Sequence, residues 1–110
     1  MATELSGRVA LITGASAGIG QACARALAEE GARLVLTARR QERLNELKQQ
    51  VEKLGTQAIS VLGDAREEST AKNTVEAAMQ AFWQIDILIN NTGGGIIRTL
   101  STRAPRSTTT

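Results

Sequence analysis

At 110 residues the chain has room for one domain with a modest core, and 13 Lys and Arg against 11 Asp and Glu leave a formal charge of +2. Charge so near balance compels no nucleic-acid partner, and one Phe, one Trp and no Tyr leave little with which to stack bases. The absence of histidine and the single cysteine argue against a transition-metal site and rule out an internal disulfide. Cys23 reads as a small core residue, which fits a reducing, cytoplasmic setting. Met1 to Leu5 carry no basic region followed by an apolar run, and no stretch approaches the ~18 apolar residues of a membrane span, so neither export nor a membrane role is expected.

In chain order, Arg8 to Thr13 is a continuous apolar run of the kind that forms a strand buried on both faces. The turn Thr13-Gly14-Ala15-Ser16-Ala17-Gly18-Ile19-Gly20 then leads into a helix. Gly14 lets the chain bend off the strand, Gly18 clears the place where a pyrophosphate would approach the backbone, and Gly20 lets the helix pack close to the sheet. N–H groups at the helix start would face the anion, with Ser16 and Ile19 as further contacts. A turn that is merely tight is the alternative.

The helix is expected from Gly18 to Glu30, its stripe Ile19, Ala22, Cys23, Ala26 and Leu27, with Gly31 as its C-terminal cap. Arg33 to Thr37 follows as a second buried strand, and Gln41 to Leu54 as a helix with Leu44, Leu47, Val51 and Leu54 on one face. Gln57 to Leu62 is a third strand. Glu67 to Phe82 is a third helix with Ala71, Val75, Ala78, Met79 and Phe82 as its stripe, and Trp83 is expected to pack on a neighbouring helix end. Asp86 to Asn90 is the fourth strand. Residues 1–95 form the domain, and 96–110 are an aperiodic polar tail expected to be disordered.

The spacing Gly-x-x-x-Gly-x-Gly after Thr13, together with Asn90-Asn91-Thr92-Gly93 closing the fourth strand, resembles the short-chain dehydrogenase/reductase family from about Gly7 to about Gly93. That resemblance, with right-handed crossovers, implies an α/β fold: a partial Rossmann fold with a parallel sheet ordered 3-2-1-4, two helices on one face and the third on the other. It also implies a nicotinamide dinucleotide. Thr37-Ala38-Arg39-Arg40 offers no carboxylate to a ribose 2′-hydroxyl but two guanidiniums to a 2′-phosphate, so NADP is expected over NAD, with Arg39 as the binding residue and Arg40 as a solvated helix start. By resemblance Asp64 accepts from the adenine amino group and the Ala65 amide donates to the ring; capping of the following helix is the other reading of Asp64. Asn90 would contact the nicotinamide-side ribose, where Thr92 stands in place of the usual Ala.

Catalysis in that family uses a serine and a Tyr-x-x-x-Lys pair, and this chain has no tyrosine. Lys48, Lys53 and Lys72 belong to polar helix faces, and Ser101 and Ser107 to the tail. The chain therefore reads as the truncated N-terminal half of such an oxidoreductase, inactive alone, its tail out of frame with an ancestral gene. A non-catalytic nucleotide-binding or interaction module and a Rossmann-like methyltransferase are the other classes. The fourth strand, apolar yet at the sheet edge, is a place for self-association.

Overall fold

The computed structural model describes residues 5–15, 18–64 and 66–90, and the backbone of 102–103. Strand β1 (Val9–Thr13) leads to helix α1 (Gly18–Glu29), β2 (Arg33–Ala38), α2 (Gln41–Lys53), β3 (Ala58–Leu62) and α3 (Glu68–Phe82). After α3 come a short strand not expected from the sequence, β4 (Gln84–Ile85), and then β5 (Ile87–Asn90), which is the expected fourth strand shorter by Asp86. Four strands form a parallel sheet in the order β3-β2-β1-β5, which is the expected 3-2-1-4 order with β5 in the fourth place. In the tail, Thr102–Arg103 form β6, paired antiparallel with β4; the rest of 96–110 lies outside the described residues.

Two apolar layers cover the sheet. Ala10, Ile12, Leu34 and Leu36 point to one face, where they pack with Ala24 and Ala28 of α1 and with Leu44, Leu47 and Val51 of α2. Val9, Leu11 and Val35 point to the other, against Ala78 and Phe82 of α3. Alternation along each strand sends successive residues to opposite faces, which is why uninterrupted apolar runs were needed. Leu36, Leu44 and Leu47 are all essentially inaccessible to solvent.

The helices are rotated relative to the stripes read from the sequence. In α1 the buried line is Gly20, Ala24 and Ala28, with Cys23 and Leu27 partly buried beside it, while Ile19, Ala22 and Ala26 are exposed. Small side chains at intervals of four let this helix lie close to the sheet. In α3 the buried line is Thr70, Thr74, Ala78 and Phe82, and Ala71 and Val75 face outward. Thr74 donates to the Thr70 carbonyl at 2.7 Å and shares a hydrogen bond with Thr37 of β2 at 2.9 Å, so these hydroxyls are buried with partners. Leu54, expected on the buried face of α2, ends that helix exposed.

Trp83 departs furthest from expectation. Its side chain is 69% exposed rather than packed on a helix end, and its backbone takes the left-handed conformation at φ +68°, closing α3 through an N–H that donates to the Met79 carbonyl. Glycine ordinarily serves this position because a Cβ strains it. Beyond Trp83 the chain is tied down by Asp86, a buried carboxylate that accepts from the Val9 N–H at 2.9 Å and from Gln84 Nε2 at 2.6 Å, with the Arg8 guanidinium at 3.4 Å. This cluster joins the entry of β5 to the entry of β1.

Candidate functional site

The strand register brings the sequence-predicted residues to one edge. Thr13 of β1 is opposite Thr37 of β2 and Asn90 of β5, and Ala38 is opposite Leu62 of β3. The segments beyond the strands therefore emerge side by side at the carboxyl ends: Gly14 after β1, Arg39 after β2, Gly63 and Asp64 after β3, and Asn90 at the end of β5. Strand order reverses between β1 and β5, and a crevice outside the carboxyl ends at such a reversal is where open α/β sheets bind ligands.

Gly14 turns the chain at φ +63°, and the Ala15 N–H then donates to the Thr37 carbonyl at 2.9 Å, fastening the turn to β2. Gly18 begins α1 at φ +56°, and no described atom lies within 4 Å of where its Cβ would stand. A side chain there would be strained and would occupy open space before the helix start, so the position suits close approach of an anion to backbone N–H groups. Ile19 is 54% exposed beside it, and Gly20 is buried. Ser16 lies outside the described residues, as do Ala65 and the residues of the Asn91-Thr92-Gly93 turn.

On the other side of the reversal, Thr13 Oγ1 donates to Asn90 Oδ1 at 2.8 Å. That bond sets the Asn90 amide so that its NH₂ is the end left to donate. Sequence reading placed Thr13 in the turn without giving it this work; its position directly opposite Asn90 in adjacent parallel strands was the signal.

At the far end, Arg39 and Arg40 are both exposed. Arg40 occupies the N-cap position of α2 with no side-chain capping bond, and its carbonyl accepts the Leu44 N–H, which matches the reading of Arg40 as a helix start. The Gly63 N–H donates to the Ala38 carbonyl at 2.9 Å, so Arg39 and Asp64 leave the sheet from adjoining points. Asp64 does not cap α3, whose N-cap is Glu67. Its Oδ1 instead accepts from the backbone N–H and from Nε of Arg66, at 2.9 and 3.1 Å, while Oδ2 accepts from Nη2 at 2.9 Å. The Arg66 side-chain bond foremost, with its backbone bond and the charges of Arg66 and Arg39 adding to it, holds the carboxyl down from 3.8 to about 2. Arg66 was missed from sequence; the Asp-x-Arg spacing just beyond a strand end is the trace it leaves.

Among the described residues no cluster of three or more His, Cys, Asp or Glu could hold a metal ion, and no helix is long and apolar enough to cross a membrane.

A family model described as short chain dehydrogenase matches residues 8–108. A 7alpha-hydroxysteroid dehydrogenase of Clostridium sardiniense is 47% identical over 91 residues, covering 83% of this chain and 35% of that protein. Among solved structures, L-sorbose reductase from Gluconobacter frateurii, complexed with NADPH and L-sorbose, matches with a TM-score of 0.79 at 41% identity, over 84% of this chain and 36% of its own. An NAD+-bound xylitol dehydrogenase matches with a TM-score of 0.73 at 35% identity, over 77% of this chain and 33% of its own. The chain thus spans about a third of the length of each of these three proteins.

Proposed function

The chain belongs to the short-chain dehydrogenase family, whose members bind a nicotinamide dinucleotide, and from that premise we propose that it is the NADP-holding part of an oxidoreductase acting between an alcohol and a carbonyl. The observation that carries this reading is the single row of strand ends, in which the glycine turn, Arg39, Asp64 and Asn90 share one edge across the strand reversal. In it the pyrophosphate meets the turn at Gly14, Ser16, Gly18, Ile19 and Gly20, the adenosine end lies by Arg39, Asp64 and Ala65, and the nicotinamide-side ribose is met by Asn90. An exposed guanidinium at the end of β2, with no carboxylate from Thr37 to Arg40, supports NADP over NAD.

Bound there, the nicotinamide would supply or accept hydride. The chain has no tyrosine to move the accompanying proton, so turnover needs a proton donor from beyond this sequence, and the 110 residues alone bind without reacting. A reducing cytoplasm suits the free Cys23, and the outer edge of β5, at the end of the parallel sheet, is the place for self-association.

The test is a fluorescence titration of the chain with NADPH and NADH. NADPH is expected to bind roughly tenfold more tightly, since a charge-assisted guanidinium contact adds about 1.5–3 kcal/mol. Arg39→Asp should reverse the order. Equal affinities in the parent, or an unaltered ratio in the variant, would remove the assignment.

A further inference from the structure

Arg66 has a role that neither the sequence motifs nor the proposed function gives it. The guanidinium carries five N–H donors in a fixed plane, and two of its nitrogens, Nε and Nη2, each give one to Asp64. The fork is thereby held although the side chain is 69% exposed. Among the described residues three donors remain without a partner, two on Nη1 and one on Nη2, on a charge whose orientation is already set. Asp64 is correspondingly engaged: an ionised carboxylate offers about four acceptor positions, and Arg66 takes three through its backbone and side chain.

The backbone brings Asp64, to which Arg66 is bonded, to the strand end neighbouring the one that carries Arg39. Ala38 and Leu62 are register partners and the Gly63 N–H bonds the Ala38 carbonyl, so Arg39 and Asp64 follow neighbouring strands, whose spacing is about 4.8 Å. The Asp64 carboxylate also senses the charge of Arg39. Two guanidiniums carried beyond neighbouring strands are a pair of the kind that shares the oxygens of a single phosphate.

We propose that Arg66, held in place by Asp64, is a second specificity-determining residue for the 2′-phosphate of the cofactor's adenosine, acting with Arg39. This rests on the NADP reading above and deepens it. Asp64 then serves first as the holder of Arg66, and the adenine amino group shares only the acceptor position that Arg66 leaves.

The experiment compares 2′,5′-ADP with 5′-AMP by calorimetric titration of the 110-residue chain, because the two probes differ only in the 2′-phosphate and neither needs the nicotinamide side. The parent should prefer 2′,5′-ADP. Arg66→Met should cut the ratio of the two affinities about tenfold while leaving 5′-AMP binding nearly as it was, with Arg66→Lys keeping part of the preference. Asp64→Asn, which weakens the hold on Arg66, should fall between parent and Arg66→Met; any loss of adenine contact affects both probes and cancels in the ratio. A full preference retained in Arg66→Met, while Arg39→Met abolishes it, would overturn this inference and leave the NADP reading standing. A parent without preference would overturn both. Far-UV circular dichroism matching the parent confirms that each variant is folded.

Discussion

Two aspartates stand at opposite ends of the same sheet and do opposite things. Asp86, at the amino ends of β1 and β5, is buried, and its carboxylate is met by the Val9 N–H, Gln84 and Arg8. Asp64, beyond the carboxyl end of β3, bonds the backbone and the half-free guanidinium of Arg66 at the rim of the molecule. One carboxylate joins β1 to β5, and the other orients a cation. The difference teaches where each end spends its polar groups: the amino end closes them on the fold, whereas the carboxyl end leaves Arg39, Arg66 and the Gly18 backbone facing outward, as a site for an anion requires.

The comparison can be broken first at Asp86. Asp86→Ala leaves the buried Val9 N–H without its acceptor and should lower the unfolding free energy by about 2–3 kcal/mol, read from urea midpoints. The same variant should keep the parent's preference between dinucleotides at a temperature where it is folded. Loss of that preference with a preserved fold would show that the two ends are not independent.

A smaller effect, of opposite sign, is expected beside the Asp86 cluster at Trp83. Its left-handed backbone is relieved by glycine and its exposed ring has little burial to lose, so Trp83→Gly should raise stability by about 0.5–1 kcal/mol. A fall in the urea midpoint would mean that the indole makes contacts worth more than the strain.

The smallest effect on stability, and the sharpest on titration, belongs to Asp64. Its carboxyl, held from 3.8 down to about 2 chiefly by the Arg66 side-chain bond, should stay ionised at pH 3 when followed by NMR. A depressed value means that the native state favours the carboxylate: the contribution is complete above pH 3.8 and fades as pH falls towards 2. Arg66→Ala should return the titration towards 3.8 with little change in the urea midpoint, because the Arg66 side of the pair is largely in solvent. An unchanged titration would show that Arg66 does not hold Asp64 in solution.

The alternating strands and helices, the parallel order and the row of residues at the carboxyl edge were legible in the sequence. Apolar runs bounded by glycine mark buried strands, and crossover handedness leaves few ways to arrange them. The phase of α1 and α3 was not legible. Ile19, Ala22 and Ala26 fit a helical stripe as well as Gly20, Ala24 and Ala28 do, since alanine is at home on either face, and Thr70 and Thr74 read as polar until Thr37 arrives from another strand as partner. The part played by Asp86 was hidden for the same reason: a carboxylate before an apolar run gives no sign that it will accept from Val9, 77 positions away.

By itself, then, the sequence determined the order of elements, the glycine turn and the cationic end of β2, because these depend on local conformation and on spacing along the chain. Only the tertiary structure decided which helix faces are buried, that Thr13 sets the Asn90 amide, and that Asp64 is engaged by Arg66 rather than by the start of α3. The first depends on how small side chains seat against the sheet, and the others on which polar group finds a partner once the backbone is folded: a carboxylate or hydroxyl with several nearby donors chooses by geometry that spacing does not encode.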